Sequence, residues 1–153
     1  MTDSSLERSL PKRLLFVCVE NSDRSQMAEA FARIHGRDKV EAYSAGLRPL
    51  GEINAKAIDA MRRVGYDLSQ HRSKSLAEIP DIEFDFVAIM GCGDECPLVR
   101  AKLRENWNIS DPKDFSEVEF GAVRDKIESE VVSMLLELRI AGHLRWETSR
   151  VKS

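Results

Sequence analysis

Residues 13–25 read Arg13-Leu14-Leu15-Phe16-Val17-Cys18-Val19-Glu20-Asn21-Ser22-Asp23-Arg24-Ser25, followed directly by Gln26-Met27-Ala28-Glu29-Ala30-Phe31-Ala32-Arg33. The apolar run ending at Val17 has the length of a buried strand, and the stretch after Arg24 has the composition of a helix. A strand that passes through a Cys-x5-Arg turn into a helix gathers backbone N–H groups around one point. It also aims the positive end of the helix dipole there. The turn therefore reads as an oxyanion site, with the Cys18 sulfur on one side and the Arg24 guanidinium fork on the other. Its binding residues are the loop itself: Val19, Glu20, Asn21, Ser22, Asp23, Arg24 and Ser25. The same field should lower the thiol pKa and make Cys18 a thiolate nucleophile near neutral pH. The competing reading is a buried structural cysteine beside a surface arginine. Strand before, helix after and Ser25 beside Arg24 favour the reactive site.

Outward from this stretch, strand and helix signals alternate. The first strand is expected over Arg13–Val17 and the first helix from near Arg24 to near His35, stopped by Gly36. Val40–Ser44 alternates as a second strand and leaves through Ala45-Gly46. Asn54 caps a helix carrying Ala57, Ile58, Met61 and Val64 at helical spacing. A shorter helix is expected over Ser75–Ile79, cut by Pro80. Phe84–Met90 is the strongest buried strand, running into Gly91-Cys92-Gly93-Asp94-Glu95-Cys96-Pro97. Leu98–Trp107 reads as helical, Asn108–Ser110 as short and extended, and Asp111-Pro112 as a break. A final helix over Glu117–Leu138 places Val123, Ile127, Val131, Met134, Leu135 and Leu138 on one face. This order predicts a single three-layer α/β domain: a small four-stranded parallel sheet with helices on both faces. Ligands in such sheets bind beyond the carboxyl ends of the strands, where Cys18, Ser44, Cys92 and Asp111 fall. The domain is expected over residues 13–140, between a flexible extension (1–12) and a tail (141–153).

Composition narrows the class. The chain has 153 residues, 42% hydrophobic and 32% charged, with a formal net charge of −3. That charge offers no footprint for nucleic acid, and no apolar run reaches a membrane span. Met1–Ser5 lacks the shape of a signal peptide, and a cytoplasmic protein is expected. Three cysteines, an odd number, point to reactive thiols rather than a disulfide framework.

Four places in the chain resemble one family. Cys18-x5-Arg24-Ser25-Gln26-Met27-Ala28-Glu29, Tyr43-Ser44-Ala45-Gly46, Gly91–Pro97 and Trp107-x3-Asp111-Pro112 look like the arsenate reductases built on the low-molecular-weight protein tyrosine phosphatase fold. The resemblance implies that Cys18 attacks arsenate held by the loop and Arg24, with Asp111 as general acid. It further implies that Cys92 attacks the Cys18 adduct and releases arsenite, and that Cys96 resolves the disulfide to Cys92–Cys96. A thioredoxin-type reductant would then recycle the enzyme, which is expected to be a monomer without a cofactor. The chemistry accounts for the cysteine count, because reducing arsenic(V) takes two electrons and hence a thiol pair. By the same resemblance Asn21 props the loop, with a backbone suited to the left-handed region, and Ser25 donates to the thiolate.

Some positions depart from the pattern. Glu20 and Asp23 stand where relatives commonly carry Gly and Cys; two carboxylates should repel an oxyanion and raise the Cys18 pKa unless both point outward. Some family members hold a potassium ion near the loop, but Lys74 replaces a carboxylate expected after His71. Its ammonium can stand in for the cation, so no metal is expected. His71 itself reads as a satisfied structural histidine. The alternative activity is phosphomonoester hydrolysis through a phosphocysteine. Lys113 and Asp114 follow Asp-Pro, however, where phosphatases of this fold place tyrosines to wall in a phenyl ring. A non-catalytic anion-binding module is a second alternative, and a zinc site at Cys92 and Cys96, short of two ligands, a third.

Overall fold

The computed structural model describes residues 10–91 and 98–140. Cys92 and Cys96 lie outside the described residues, as do most of the extension and the tail. Four strands form one parallel sheet: β1 (Lys12–Cys18), β2 (Val40–Gly46), β3 (Phe84–Met90) and β4 (Ala101–Trp107), in the order β2-β1-β3-β4. The α-helices are α1 (Arg24–Gly36), α2 (Ala55–Arg62) and α3 (Glu117–Glu137).

The central strands are buried on both faces, hence their unbroken apolar sequences. Leu14, Phe16, Phe86, Ala88 and Met90 join the three helices in the larger core cluster. Leu15, Val17, Val87 and Ile89 face the other way, under Leu76 and Ile79 at a 3₁₀ turn spanning Leu76–Glu78. Each large apolar side chain buried in this way contributes about 1.5–3 kcal/mol, so the alternation along β1 fixes its register firmly. In α3, Ile127, Val131, Met134 and Leu135 are buried as expected, and Ser116 and Glu119 close a capping box at its start.

β4 corrects the sequence reading. Leu98–Trp107 was expected to be helical and Asn108–Ser110 extended, but the fourth strand is Ala101–Trp107 and residues 108–110 form a loop. Ala101, Lys102, Leu103, Arg104 and Glu105 are good helix formers, and pairing with β3 overrides them. This is an edge strand. Leu103 is 52% exposed and the charged side chains stand along it, which blunts association through the open edge. Its carboxyl end is anchored where Trp107 packs against Phe16 and Phe86 at ring-centroid distances of 5.8 and 6.1 Å. Helix α2 also stops earlier than its apolar spacing suggests, leaving Val64 exposed beyond it.

The topology itself locates a site. From β1 the chain moves to β2 on one side, and after α2 it crosses to β3 on the other. The carboxyl ends of β1 and β3 flank this switch point, where open α/β sheets bind ligands. Cys18 ends β1, and Gly91 follows β3.

Candidate active site

Between β1 and α1 the backbone curls with its carbonyls turned outward. Those of Cys18, Val19, Glu20 and Ser22 accept from the N–H groups of Leu47, Arg48, Leu50 and Asn54, at 3.3, 2.8, 2.9 and 2.9 Å. The Asn21 carbonyl accepts from Gln26 Nε2 at 3.1 Å, and that of Asp23 from the Met27 N–H at 2.9 Å. A planar peptide whose carbonyl points out turns its N–H the other way, so the loop becomes a cradle of inward donors at the start of α1. Asn21 takes the left-handed backbone that the turn requires, with φ 52°. Gly46, at the end of β2, lies so close that a Cβ there would meet the Val19 carbonyl oxygen at 2.8 Å.

A chain of side chains runs beneath the cradle to Cys18. Gln26 Oε1 can only accept, so His71 Nδ1, 2.9 Å away, carries its proton and His71 Nε2 accepts from the Tyr66 hydroxyl at 2.6 Å. Burial lowers the His71 pKa, in keeping with this neutral tautomer. Gln26 Nε2 donates to Asn21 Oδ1 at 2.8 Å, and Asn21 Nδ2 donates to Ser25 Oγ at 2.8 Å. Ser25 thereby keeps its own proton for Cys18 Sγ, 2.9 Å away. His71 is thus a satisfied histidine, and Asn21 and Ser25 stand where the sequence placed them. Gln26 and Tyr66 were not foreseen; both are polar residues in runs whose apolar neighbours drew the reading.

Lys74 is drawn into the same region. Its N–H donates to Asn21 Oδ1 at 2.9 Å, and its Nζ to the Arg72 carbonyl at 3.1 Å and Ser44 Oγ at 3.4 Å. Glu29 Oε1 is 3.8 Å from the ammonium. Lys74 thus brings an ammonium beside Glu29 and Ser44. Burial lowers the Lys74 pKa, and Glu29 opposes that shift.

Cys18 is 1% exposed, and this burial pushes its thiol up rather than down. The Ser25 hydroxyl and N–H and the Arg24 charge pull downward, while the Asp23 carboxylate adds to the rise. The sequence reading counted the helix dipole and Arg24 but had no measure of desolvation, which is the largest effect. Deprotonation of Cys18 consequently depends on the donors gathered around it.

Arg24 enters the cradle from the first turn of α1. Its Nη1 donates to the Ile109 carbonyl at 3.0 Å, Nη2 lies 3.9 Å from Asp111 Oδ2, and Nε lies 3.8 Å from Asp23 Oδ1. The segment after β4 thus does two things: Ile109 aims the guanidinium and Asp111 stands beside it. Asp111 is 43% exposed, and its Oδ1 accepts from the Lys113 N–H at 3.2 Å, so it is also the turn residue that Asp-Pro suggests. Asp111→Asn is expected to reduce turnover by roughly 10²–10⁴-fold, the range for a lost general acid, with little loss of phosphate affinity. Steady-state rates and phosphate inhibition constants measured together check this.

Gly91 lies against the same guanidinium. With φ 75° it occupies the left-handed region, and a Cβ there would collide with Arg24 Nη1. The guanidinium is the movable partner, so Gly91→Ala should displace Arg24 more than it disturbs the fold. Loss of a charged hydrogen bond predicts at least roughly tenfold weaker phosphate binding, against a stability loss of roughly 1–2 kcal/mol for an L residue in the left-handed region. Phosphate inhibition and thermal melting separate the two.

A model of the low molecular weight phosphotyrosine protein phosphatase family matches residues 13–143. The chain belongs to this family. The phosphatase-family match contains the whole cradle, together with Asp111 and the Cys92–Cys96 segment. Arsenate reductase 1 of Staphylococcus epidermidis is 40% identical over 126 residues, covering 78% of this chain and 92% of the relative. The glutaredoxin arsenate reductase of Synechocystis is 33% identical over 130 residues, covering 83% and 98%. A solved arsenate reductase in its phosphate-binding state aligns with a TM-score of 0.74 at 34% identity, covering 86% of this chain and 98% of that one. Among the described residues no helix is long and apolar enough to cross a membrane, and no cluster of three or more candidate metal ligands occurs.

Proposed function

We propose that this family member is an arsenate reductase working through a cysteine relay. The observation that carries the reading is the contact between Gly91 and Arg24. Gly91 leaves β3 beside the Arg24 guanidinium, and Cys92 follows it directly in sequence. Arsenate enters the cradle against the loop N–H groups and Arg24. Cys18 Sγ forms a bond to arsenic, one oxygen leaves as water, and Asp111 supplies the proton that oxygen needs. Cys92 Sγ then attacks Cys18 Sγ. The electron pair of the sulfur–arsenic bond passes to arsenic, arsenite departs and a Cys18–Cys92 disulfide remains. Cys96 attacks Cys92, frees Cys18 and leaves Cys92–Cys96. An external dithiol of the thioredoxin type reduces that bond by exchange; the Synechocystis relative, named for glutaredoxin, makes a glutathione-linked donor the natural comparison. This cycle uses no metal or cofactor and is assigned to a cytoplasmic monomer.

The family's description supports phosphomonoester hydrolysis as a second reading. Lys113 and Asp114 are exposed where an aromatic wall would serve that reaction. Kinetics discriminate: thioredoxin-coupled arsenate reduction is expected to exceed p-nitrophenyl phosphate turnover, and the reverse ranking would make the protein a phosphatase.

A further inference from the structure

Asp23 is a carboxylate inside an anion cradle. It is 4% exposed, and its Oδ1 accepts from the Arg24 N–H at 2.6 Å. That N–H opens α1 and belongs to the inward ring of donors. The same oxygen lies 3.8 Å from Arg24 Nε. Arg24 Nε is itself buried without a hydrogen-bond partner, alone in this among the side-chain nitrogens and oxygens of the described residues. Two donors that an incoming oxyanion would use are therefore already under the influence of a resident negative charge.

The surroundings leave that charge poorly neutralised. Arg24 and, more weakly, the Asn54 side chain favour the charged form of the Asp23 carboxyl, while the like-charged Asp111 disfavours it. The Cys18 sulfur feels the Asp23 charge in turn. Among the described residues, Arg24 is the cation that lies beside both carboxylates. A doubly charged oxyanion would add two negative charges to this group, and burial already favours the neutral form of Asp23.

We propose that Asp23 makes the cradle selective for the singly charged, protonated oxyanion, with one proton held between its carboxyl group and an oxygen of the bound ligand. The inference rests on the reading of this loop as an oxyanion site. Asp23 is then a specificity-determining residue. The proton taken up on binding comes from solvent and lies beside the oxygen that must later leave as water. Selection of this kind makes affinity fall as pH rises, by about tenfold per pH unit once the free ligand loses its second proton.

Inorganic phosphate is the probe, with its affinity for the reduced protein measured by calorimetry from about pH 6 to about pH 9, on either side of phosphate's second ionisation. The comparison variants are Asp23→Asn and Asp23→Ser, both good N-caps, so the start of α1 stays capped while the charge is lost. The wild-type protein should show the tenfold slope and take up about one proton, read from heats in buffers of different ionisation enthalpy. Both variants should flatten the slope and bind phosphate at least about tenfold more tightly at the alkaline end. Wild-type binding that takes up no proton overturns the inference without reference to any variant. So does a wild-type slope retained in both variants at unchanged melting temperature. Failure of the wild type to bind phosphate at any pH would instead remove the oxyanion cradle itself, and this inference with it.

Discussion

Replacing Cys18 with serine is expected to abolish arsenate reduction and phosphate-ester hydrolysis together, by at least about 10⁴-fold, while phosphate binding stays within about tenfold of wild type. Both reactions begin with the same sulfur, whereas binding draws on the loop N–H groups and Arg24. The thiol is already pushed up by burial. A serine hydroxyl starts several units further from ionisation, and the Ser25 hydroxyl at 2.9 Å cannot close that gap. Ser25→Ala would remove the nearest donor but leave the nucleophile, so it should slow both reactions less than Cys18→Ser does. Assays of both activities, with phosphate calorimetry on the same samples, check this. Equal loss of binding and turnover would make Cys18 a structural residue.

The second large effect separates the two chemistries. Cys92→Ser should stop multiple-turnover arsenate reduction and leave p-nitrophenyl phosphate hydrolysis within about threefold of wild type, because only the redox route needs a second thiol. Hydrolysis returns Cys18 through attack by water. Reduction requires a sulfur that accepts the bond to Cys18 while arsenic takes the electron pair. Without Cys92 the reaction halts at the Cys18 adduct, visible as a mass increase on that cysteine in intact protein. Loss of both activities would place Cys92 in the fold rather than in the relay.

What the sequence disclosed, and what it withheld, follows from range. β1, α1 and β3 were legible because burial on two faces leaves continuous apolar runs and because the Cys-x5-Arg turn sits between two of them. Asn21 was legible as the left-handed residue, since few side chains tolerate that backbone. β4 was misread because Ala101–Glu105 carries local helix propensity, while the force that makes it a strand is its register with β3, set by residues far away in sequence. The contact between Arg24 and the Ile109 carbonyl spans 85 residues and left no local mark. Nor did the path from Tyr66 through His71 and Gln26, in which each residue is ordinary until its partner is known. Desolvation of Cys18 and the inward turn of Asp23 are likewise properties of the packed loop. The carboxylates at 20 and 23 were visible as anomalies, but only their placement distinguishes them: Glu20 is half-buried, and Asp23 is shut inside with Arg24.

The state of the sulfurs tests most directly whether the cradle and the two later thiols work as one relay. Reduced protein is mixed with arsenate, quenched by alkylation and digested, and its disulfides are assigned by mass spectrometry. A Cys92–Cys96 bond with Cys18 recovered as the alkylated thiol is the expected result. Three alkylated cysteines after exposure to arsenate would contradict the relay.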